Sequence, residues 1–331
     1  MSAEHTETRG DTTCQSGAGV FFSNPFMSDF ESDWSPIHDA AFNGRVLALQ
    51  RLIAQGTCVN LNTLDQVSPL HGACLQGHGS CAKLLVDNGA NVNSSTVDGQ
   101  TPLSEACARG HVTCVSLLLQ HGATPVGTSQ TSSPIHRAAA KGHPECIKLL
   151  VQHGADVDQC IDQSGFPLHT ACSNQHLGTV SKLLQLGASV NSCASGDSPL
   201  HIAARLSSPE MVSVLLDHGA DRSLRNSEGK QPLDLAPPNS LVERLLRQAG
   251  TSPLMQLCRL NIRKTVGKQR LGGIHDLHLP TEVKQYLLYQ SDPEGVSSNA
   301  QRSSDSEHLT SRPTLDKLSR EILFMSATIH P

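Results

Sequence analysis

The chain has 331 residues and a formal net charge of -5, a mild balance that argues against nucleic acid as a general partner. Its longest apolar runs, such as Val115 to Leu119, fall far below the ~18 residues of a membrane span, so no membrane partner is expected. Eleven cysteines, behind an N-terminus with no apolar leader, point to a reducing compartment and a cytoplasmic location with nuclear access.

Residues 1–33 form the first segment. Up to about residue 19 it is polar and rich in Thr, Ser and Gly, a composition that predicts disorder. Phe21, Phe22, Phe26 and Phe30 follow, four of the seven phenylalanines of the chain. Two readings stay open. The aromatic arm shields the first element of the array behind it, or Phe22, Phe26 and Phe30 help grip a substrate, since aromatic anchors dominate interface energetics.

Residues 34–250 carry a ladder of seven prolines: Pro36, Pro69, Pro102, Pro134, Pro167, Pro199 and Pro232. The steps are 33, 33, 32, 33, 32 and 33 residues, the mark of one supersecondary unit repeated along the chain. Each rung predicts a short helix with proline in its first turn, and the Ser or Thr before five of the seven prolines serves as N-cap. Gly44, Gly77, Gly110 and Gly142 end that helix where a positive φ is needed. A second helix follows, with an apolar stripe such as Leu49, Leu52 and Ile53. It ends at Gly56, Gly89, Gly122, Gly154, Gly187 or Gly219. One such unit cannot bury its apolar face alone, so stacking must supply the core.

The recurring words are Ser68-Pro69-Leu70-His71-Gly72-Ala73-Cys74, then Gly77-His78, then Asn88-Gly89-Ala90-Asn91-Val92-Asn93. They resemble the ankyrin repeat, with its T-P-L-H-x-A and G-A-D-V-N hallmarks. Six repeats are complete. The seventh, around Pro232, is cut by Pro237-Pro238, which shorten its first helix. The expected fold is all-α: an ankyrin-repeat solenoid of six full repeats and a degenerate seventh, followed by a small helical box.

Seventeen histidines and the cysteines invite a metal or catalytic reading, and the repeat register answers it. Cys74, Cys107 and Cys172 share a column with Ala41, Ala139 and Ala204, and Cys81, Cys114 and Cys146 share one with Ala48, Thr179 and Met211. Small buried packing residues fit both columns. Twelve histidines fall into three further columns, beginning at His38, His78 and His121. There is no C-x-x-C pair, nucleophile elbow or phosphate loop. No metal, cofactor or catalytic residue is therefore expected, and the chain reads as a non-enzyme.

Residues 251–290 leave the register. Leu254, Cys258 and Ile262 are four apart and line one face of a predicted helix, with Leu257 beside them. A second predicted helix follows Leu279-Pro280, with Val283, Tyr286 and Leu287 at helical spacing. The two segments, in this order behind ankyrin repeats, resemble a SOCS box. The first matches its elongin-binding motif at Pro253, Leu254, Cys258 and Ile262. The second matches its cullin-contacting stretch at Leu279, Pro280, Tyr286, Leu287 and Leu288. The whole chain resembles the ankyrin repeat and SOCS box family of substrate receptors in cullin-RING ubiquitin ligases.

That resemblance implies that elongin C, with elongin B, docks on Pro253, Leu254, Leu257, Cys258 and Ile262. Leu254 would fill an apolar pocket, and Cys258 would pack where a larger group clashes. A cullin, the fifth by resemblance, with its RING protein, would meet Leu279, Pro280, Tyr286 and Leu287. The family's Leu-Pro-x-Pro has Glu282 at its fourth position here. The array would hold an unidentified protein substrate through Asp39, Glu105, Arg109, Arg137, Lys141, Asn174 and Arg205, on turn tips and exposed faces of the first helices. A scaffold or inhibitor that binds a partner without ubiquitin transfer is the alternative. Residues 291–331, rich in Ser, Asp and Glu, are expected to be a disordered tail.

Overall fold

The computed structural model describes residues 34–127, 132–161, 165–247, 259–263, 266–267, 271, 274, 279 and 281–289. The arm 1–33 and the tail 291–331 lie outside them. The described residues are all-helical apart from isolated single-pair bridges such as Ile161 with Gly165 and Ala194 with Asp197.

Every rung of the ladder opens a helix. These are α1 (Pro36–Phe42), α3 (Pro69–Gln76), α5 (Pro102–Arg109), α7 (Pro134–Lys141), α9 (Pro167–Ser173), α11 (Pro199–Arg205) and α13 (Pro232–Leu235). Each is followed by a second helix: α2 (Val46–Ala54), α4 (Gly79–Asp87), α6 (Val112–Gln120), α8 (Pro144–Gln152), α10 (Leu177–Gln185), α12 (Pro209–Asp217) and α14 (Leu241–Arg247). The seventh pair is stunted, because Pro237-Pro238 close α13 after four residues. The last helix, α15, spans Thr281–Leu287.

The chain divides into two compact units, one up to Arg137 and one from Ala138 on. In the first, α1 packs on α3 and α3 on α5, while α2 packs on α4 and α4 on α6. In the second, α9 packs on α11 and α11 on α13, while α8, α10, α12 and α14 stack in series. First helices thus stack on first helices and second on second. The apolar stripes close between them, burying Ile37, Leu49, Leu70, Leu85, Leu103 and Leu118 in one unit and Ile147, Leu150, Leu168 and Leu183 in the other. All six column cysteines, Cys74, Cys81, Cys107, Cys114, Cys146 and Cys172, are fully buried.

Two of the three histidine columns tie one repeat to its neighbour. In the first column Nε2 meets a carbonyl of the next repeat: His38 with Val67 at 3.0 Å, His71 with Gln100 at 3.1 Å, His169 with Asp197 at 3.2 Å and His201 with Lys230 at 3.0 Å. Nδ1 meets the N-cap serine hydroxyl, as in Ser68 with His71 at 2.8 Å and Ser198 with His201 at 2.7 Å. The fifth repeat departs from this. Phe166 stands where the serine would be, its ring 5.4 Å from that of His169, and Nδ1 of His169 has no partner among the described residues. In the second column, His111 reaches back to the Leu75 carbonyl and His176 to the Ala140 carbonyl, each at 3.0 Å. In the third, His121, His153 and His218 bond carbonyls of their own helices at 2.8, 2.9 and 2.8 Å.

An amide ladder adds a further tie. Asn60 accepts from the Asn91 N–H, Asn93 from Thr124 and Asn191 from Asp221, each at 2.8 Å. Asp158 takes the same place towards Ser189 at 2.9 Å. Each is a long-range bond that registers one repeat on the next, the physical content of the last asparagine in the repeat word.

Gly77 shows how tightly this register is set. Its φ is +79°, and a Cβ there would stand 2.6 Å from Cε1 of His111. Gly77→Ala is therefore expected to cost about 2 kcal/mol or more, from left-handed strain plus displacement of the His111 bond. Gly56 has φ +88° but nothing within 4 Å, so Gly56→Ala carries the strain alone, about 1 kcal/mol. Urea unfolding of the two variants checks this, and equal losses would contradict the steric role of His111.

Candidate functional site

The box builds a small core of its own. Ile262, on the helical stretch 259–263, is buried with Leu271, Ile274, Val283, Leu287 and Leu288, and Val266, Leu279 and Tyr286 pack against this cluster. Two helical faces too short to be stable alone close on each other. Ile262 is 3% exposed and Leu287 1%, so both support the box from inside. Leu279 and Tyr286 are half-buried, and the guanidinium of Arg259 lies 3.6 Å from the centroid of the Tyr286 ring. Pro253, Leu254, Leu257, Cys258 and Pro280 lie outside the described residues. Glu282 falls within α15.

The array's candidate residues divide by environment. Glu105 and Arg137 sit at the same repeat position in α5 and α7, three residues after their prolines. Arg137 Nη2 donates to Glu105 Oε1 at 3.0 Å. Glu105 is 7% exposed. Burial pushes its carboxyl up, against the pull of Arg137 and Arg109. Of this pair Glu105 is buried and Arg137 half-buried. Asp39, in the same position of α1, accepts from Arg45 at 2.8 Å and from Asn43 at 2.7 Å. Asn174 is exposed and donates to the Thr170 carbonyl at 2.8 Å. Arg109 and Lys141 are exposed at the ends of α5 and α7. Phe22, Phe26 and Phe30 lie outside the described residues.

Arg205 has the most elaborate setting. It donates to Asp197 Oδ2 at 2.6 Å, and Asp197 Oδ1 accepts from Asn226 at 2.9 Å. Burial raises the Asp197 carboxyl, but these bonds outweigh it and hold the group below its ordinary value. The network borders a shallow pocket of about 330 Å³ whose lining includes His169, Ser173, Ser195, Ile202 and Leu206. Asp197 and Asn226 carry no sign of this role in the repeat words. They are found only once the two turns are side by side.

The buried Cys172 thiol is a poor nucleophile. Burial pushes Cys172 up to about 12, and a thiol, unlike a thiolate, does not attack at neutral pH. Among the described residues no group of three or more His, Cys, Asp or Glu side chains is placed to hold a metal ion. No helix there is long and apolar enough to cross a membrane.

Comparison with known proteins agrees with this arrangement. The family model for ankyrin repeats (3 copies) matches residues 21–96, 37–130, 93–160, 123–194 and 168–256. The SOCS box model matches 250–288. Ankyrin repeat and SOCS box protein 9 of Homo sapiens is 57% identical over 268 residues, covering 81% of this chain and 91% of that protein. Protein 11 of Homo sapiens is 49% identical, covering 80% and 82%. The crystal structure of the human ASB11 ankyrin repeat domain superposes with a TM-score of 0.62 at 48% identity, over 66% of this chain and 99% of that domain. With both modules matched in order and more than four fifths of each relative covered, the chain belongs to the ankyrin repeat and SOCS box family.

Proposed function

We propose that this chain is the substrate-recognition subunit of an elongin–cullin–SOCS box ubiquitin ligase. The array holds a target protein, the box holds elongin B and C, and the fifth cullin with its RING protein follows. Ubiquitin transfer and proteasomal degradation of the target are the outcome. The observation that carries this reading is the covalent series of a repeat array and a box with its own hydrophobic core. An array offers an extended binding surface. A separate small module behind it gives a second, independent attachment point.

In this reading the chain supplies no bond-making group. It raises the rate by holding target and ligase together, so that transfer becomes effectively intramolecular. Arg109, Lys141, Asn174 and Arg205 are the candidate array positions best placed to meet a target, because they are exposed. Glu105 and Arg137 pair with each other between α5 and α7. Glu282 weakens the cullin-contacting stretch relative to the family pattern and favours, as second reading, a scaffold that binds a partner without transfer.

Co-expression with elongin B and C is the direct test. The three chains are expected to elute together in gel filtration at physiological salt. Separate elution would remove the ligase reading and leave the scaffold.

A further inference from the structure

Among the described residues, the box meets the fifth and sixth repeats through polar groups aimed at helix ends, with the Leu260 side chain beside Gly219. Arg263 is the centre. It is 9% exposed, and a buried guanidinium needs an acceptor for its donors. Nη1 donates to the Leu287 carbonyl at 2.8 Å, and Nη2 donates to the carbonyls of Leu184 at 2.8 Å and Gln185 at 2.9 Å. Leu184 and Gln185 end α10, and Leu287 ends α15. The last carbonyls of a helix lack intrahelical donors and form its negative pole. One planar fork thus joins a repeat helix to a box helix at the place where each accepts a cation best.

Tyr289, two residues beyond α15, makes the second fastening. Its hydroxyl donates to the carbonyl of Asp217, the last residue of α12, at 2.9 Å. Its ring stacks on His218, with centroids 3.6 Å apart and planes 21° from parallel. Its own carbonyl accepts from Gln185 Nε2 at 3.4 Å. Arg259 lies 3.6 Å from the Tyr286 centroid and 4.1 Å from that of Tyr289, joining the two rings. The ends of α10 and α12 are therefore read by directional bonds at two separate points. Apolar surfaces slide over one another. Two sets of hydrogen bonds at fixed carbonyls define a rotation as well as a distance.

We infer that Arg263 and Tyr289 are positioning residues that lock the box at one angle on the fifth and sixth repeats, and so fix where a protein held by the array stands relative to whatever the box binds. The locking rests on geometry alone, and its bearing on ubiquitin transfer rests on the function proposed above. Relative motion is the default for modules joined by a small interface, so a fixed angle needs a device of this kind.

The test is a distance measurement by electron–electron resonance. Nitroxides are carried on ketone-bearing residues placed at the exposed positions of Glu210 on α12 and Thr281 on α15, which leaves every cysteine untouched. The parent is expected to give a single narrow distribution. Arg263→Ala with Tyr289→Phe is expected to broaden it at least about two-fold, while elongin B/C capture stays within about three-fold of the parent. Arg263→Lys keeps the charge but loses the fork and should fall between. Tyr289→Phe alone removes one hydroxyl and should still widen the distribution, which keeps the test decisive if the double variant unfolds the box. A broad parent distribution, or unchanged width in both Arg263→Lys and Tyr289→Phe, would overturn the inference. A narrow parent that captures no elongin B/C would remove the proposed function and leave the locking intact.

Discussion

Replacing Leu254 by serine and Cys258 by phenylalanine is expected to lower elongin B/C capture at least about 100-fold while the array still unfolds at its parental midpoint. Leu254 enters the predicted interface as the apolar anchor. Losing the burial of one leucine costs about 2 kcal/mol. Cys258 sits one turn on, where the resemblance implies close packing, and overfilling such a site costs about 1–3 kcal/mol more. Each 1.4 kcal/mol is about a factor of ten in affinity, so the two together pass 100-fold. Both substitutions leave the sequence of the described box cluster, Ile262, Leu271, Ile274, Val283, Leu287 and Leu288, unchanged. Capture at parental strength by the double variant would show that the elongin-binding residues are elsewhere.

The second large effect is acid destabilisation of the array between about pH 6.5 and pH 4. Burial lowers His71 from 6.5 to about 4, with the Gln100 carbonyl bond opposing it. Burial likewise lowers His218 from 6.5 to about 4, with the Val214 carbonyl opposing it and Arg263 and Arg259 adding to it. Both are therefore neutral in the folded chain at neutral pH. The unfolded chain takes up protons at pH 6.5, where the folded chain does not. Stability then rises with pH across this window. It is fully present above 6.5 and lost as pH falls towards 4.

For His71, whose residue is 2% exposed, a shift of this size corresponds to roughly 3 kcal/mol across the window. Glu105 works in the opposite sense, since burial raises its carboxyl, and it offsets part of the loss. Urea unfolding at pH 7 and pH 4.5 measures the net effect. His71→Gln, which cannot titrate, should show a shallower loss than the parent. An identical pH dependence in the two would contradict the assignment.

Much of the array was legible because its signals are local. Proline at the first helical turn, glycine at a positive φ and the i, i+3, i+4 stripe act within a few residues, and each ladder proline opens a helix as expected. The cysteine and histidine columns were legible through register alone, because a repeated position meets a repeated environment. Where a repeat breaks its own pattern, the structure finds another residue for the same backbone. Gln175 and Ser207 take φ of 58° and 54° where earlier repeats place glycine. Their side chains give no notice of this, since the neighbouring repeats impose it.

The candidate site was less legible, for a physical reason. Glu105 and Arg137 read as exposed polar positions one repeat apart, and only stacking shows that they pair and that Glu105 is buried. Arg263 belongs to none of the motifs that the sequence displays. Its acceptors Leu184 and Gln185 lie 79 and 78 residues earlier, and the acceptor of Tyr289 lies 72 residues earlier. No local period encodes a bond of that span.

The measurement that bears most directly on the receptor reading is reconstituted ubiquitin transfer. A partner trapped by the array with the Leu254→Ser, Cys258→Phe chain is identified, purified and bound to the unmutated chain with elongin B/C. The fifth cullin and its RING protein are then added or withheld. Ubiquitin chains are expected on the partner only when the cullin is present and the box is intact. A partner that stays bound and unmodified in the complete reaction, with the cullin demonstrably in the complex, would contradict the receptor and leave a scaffold.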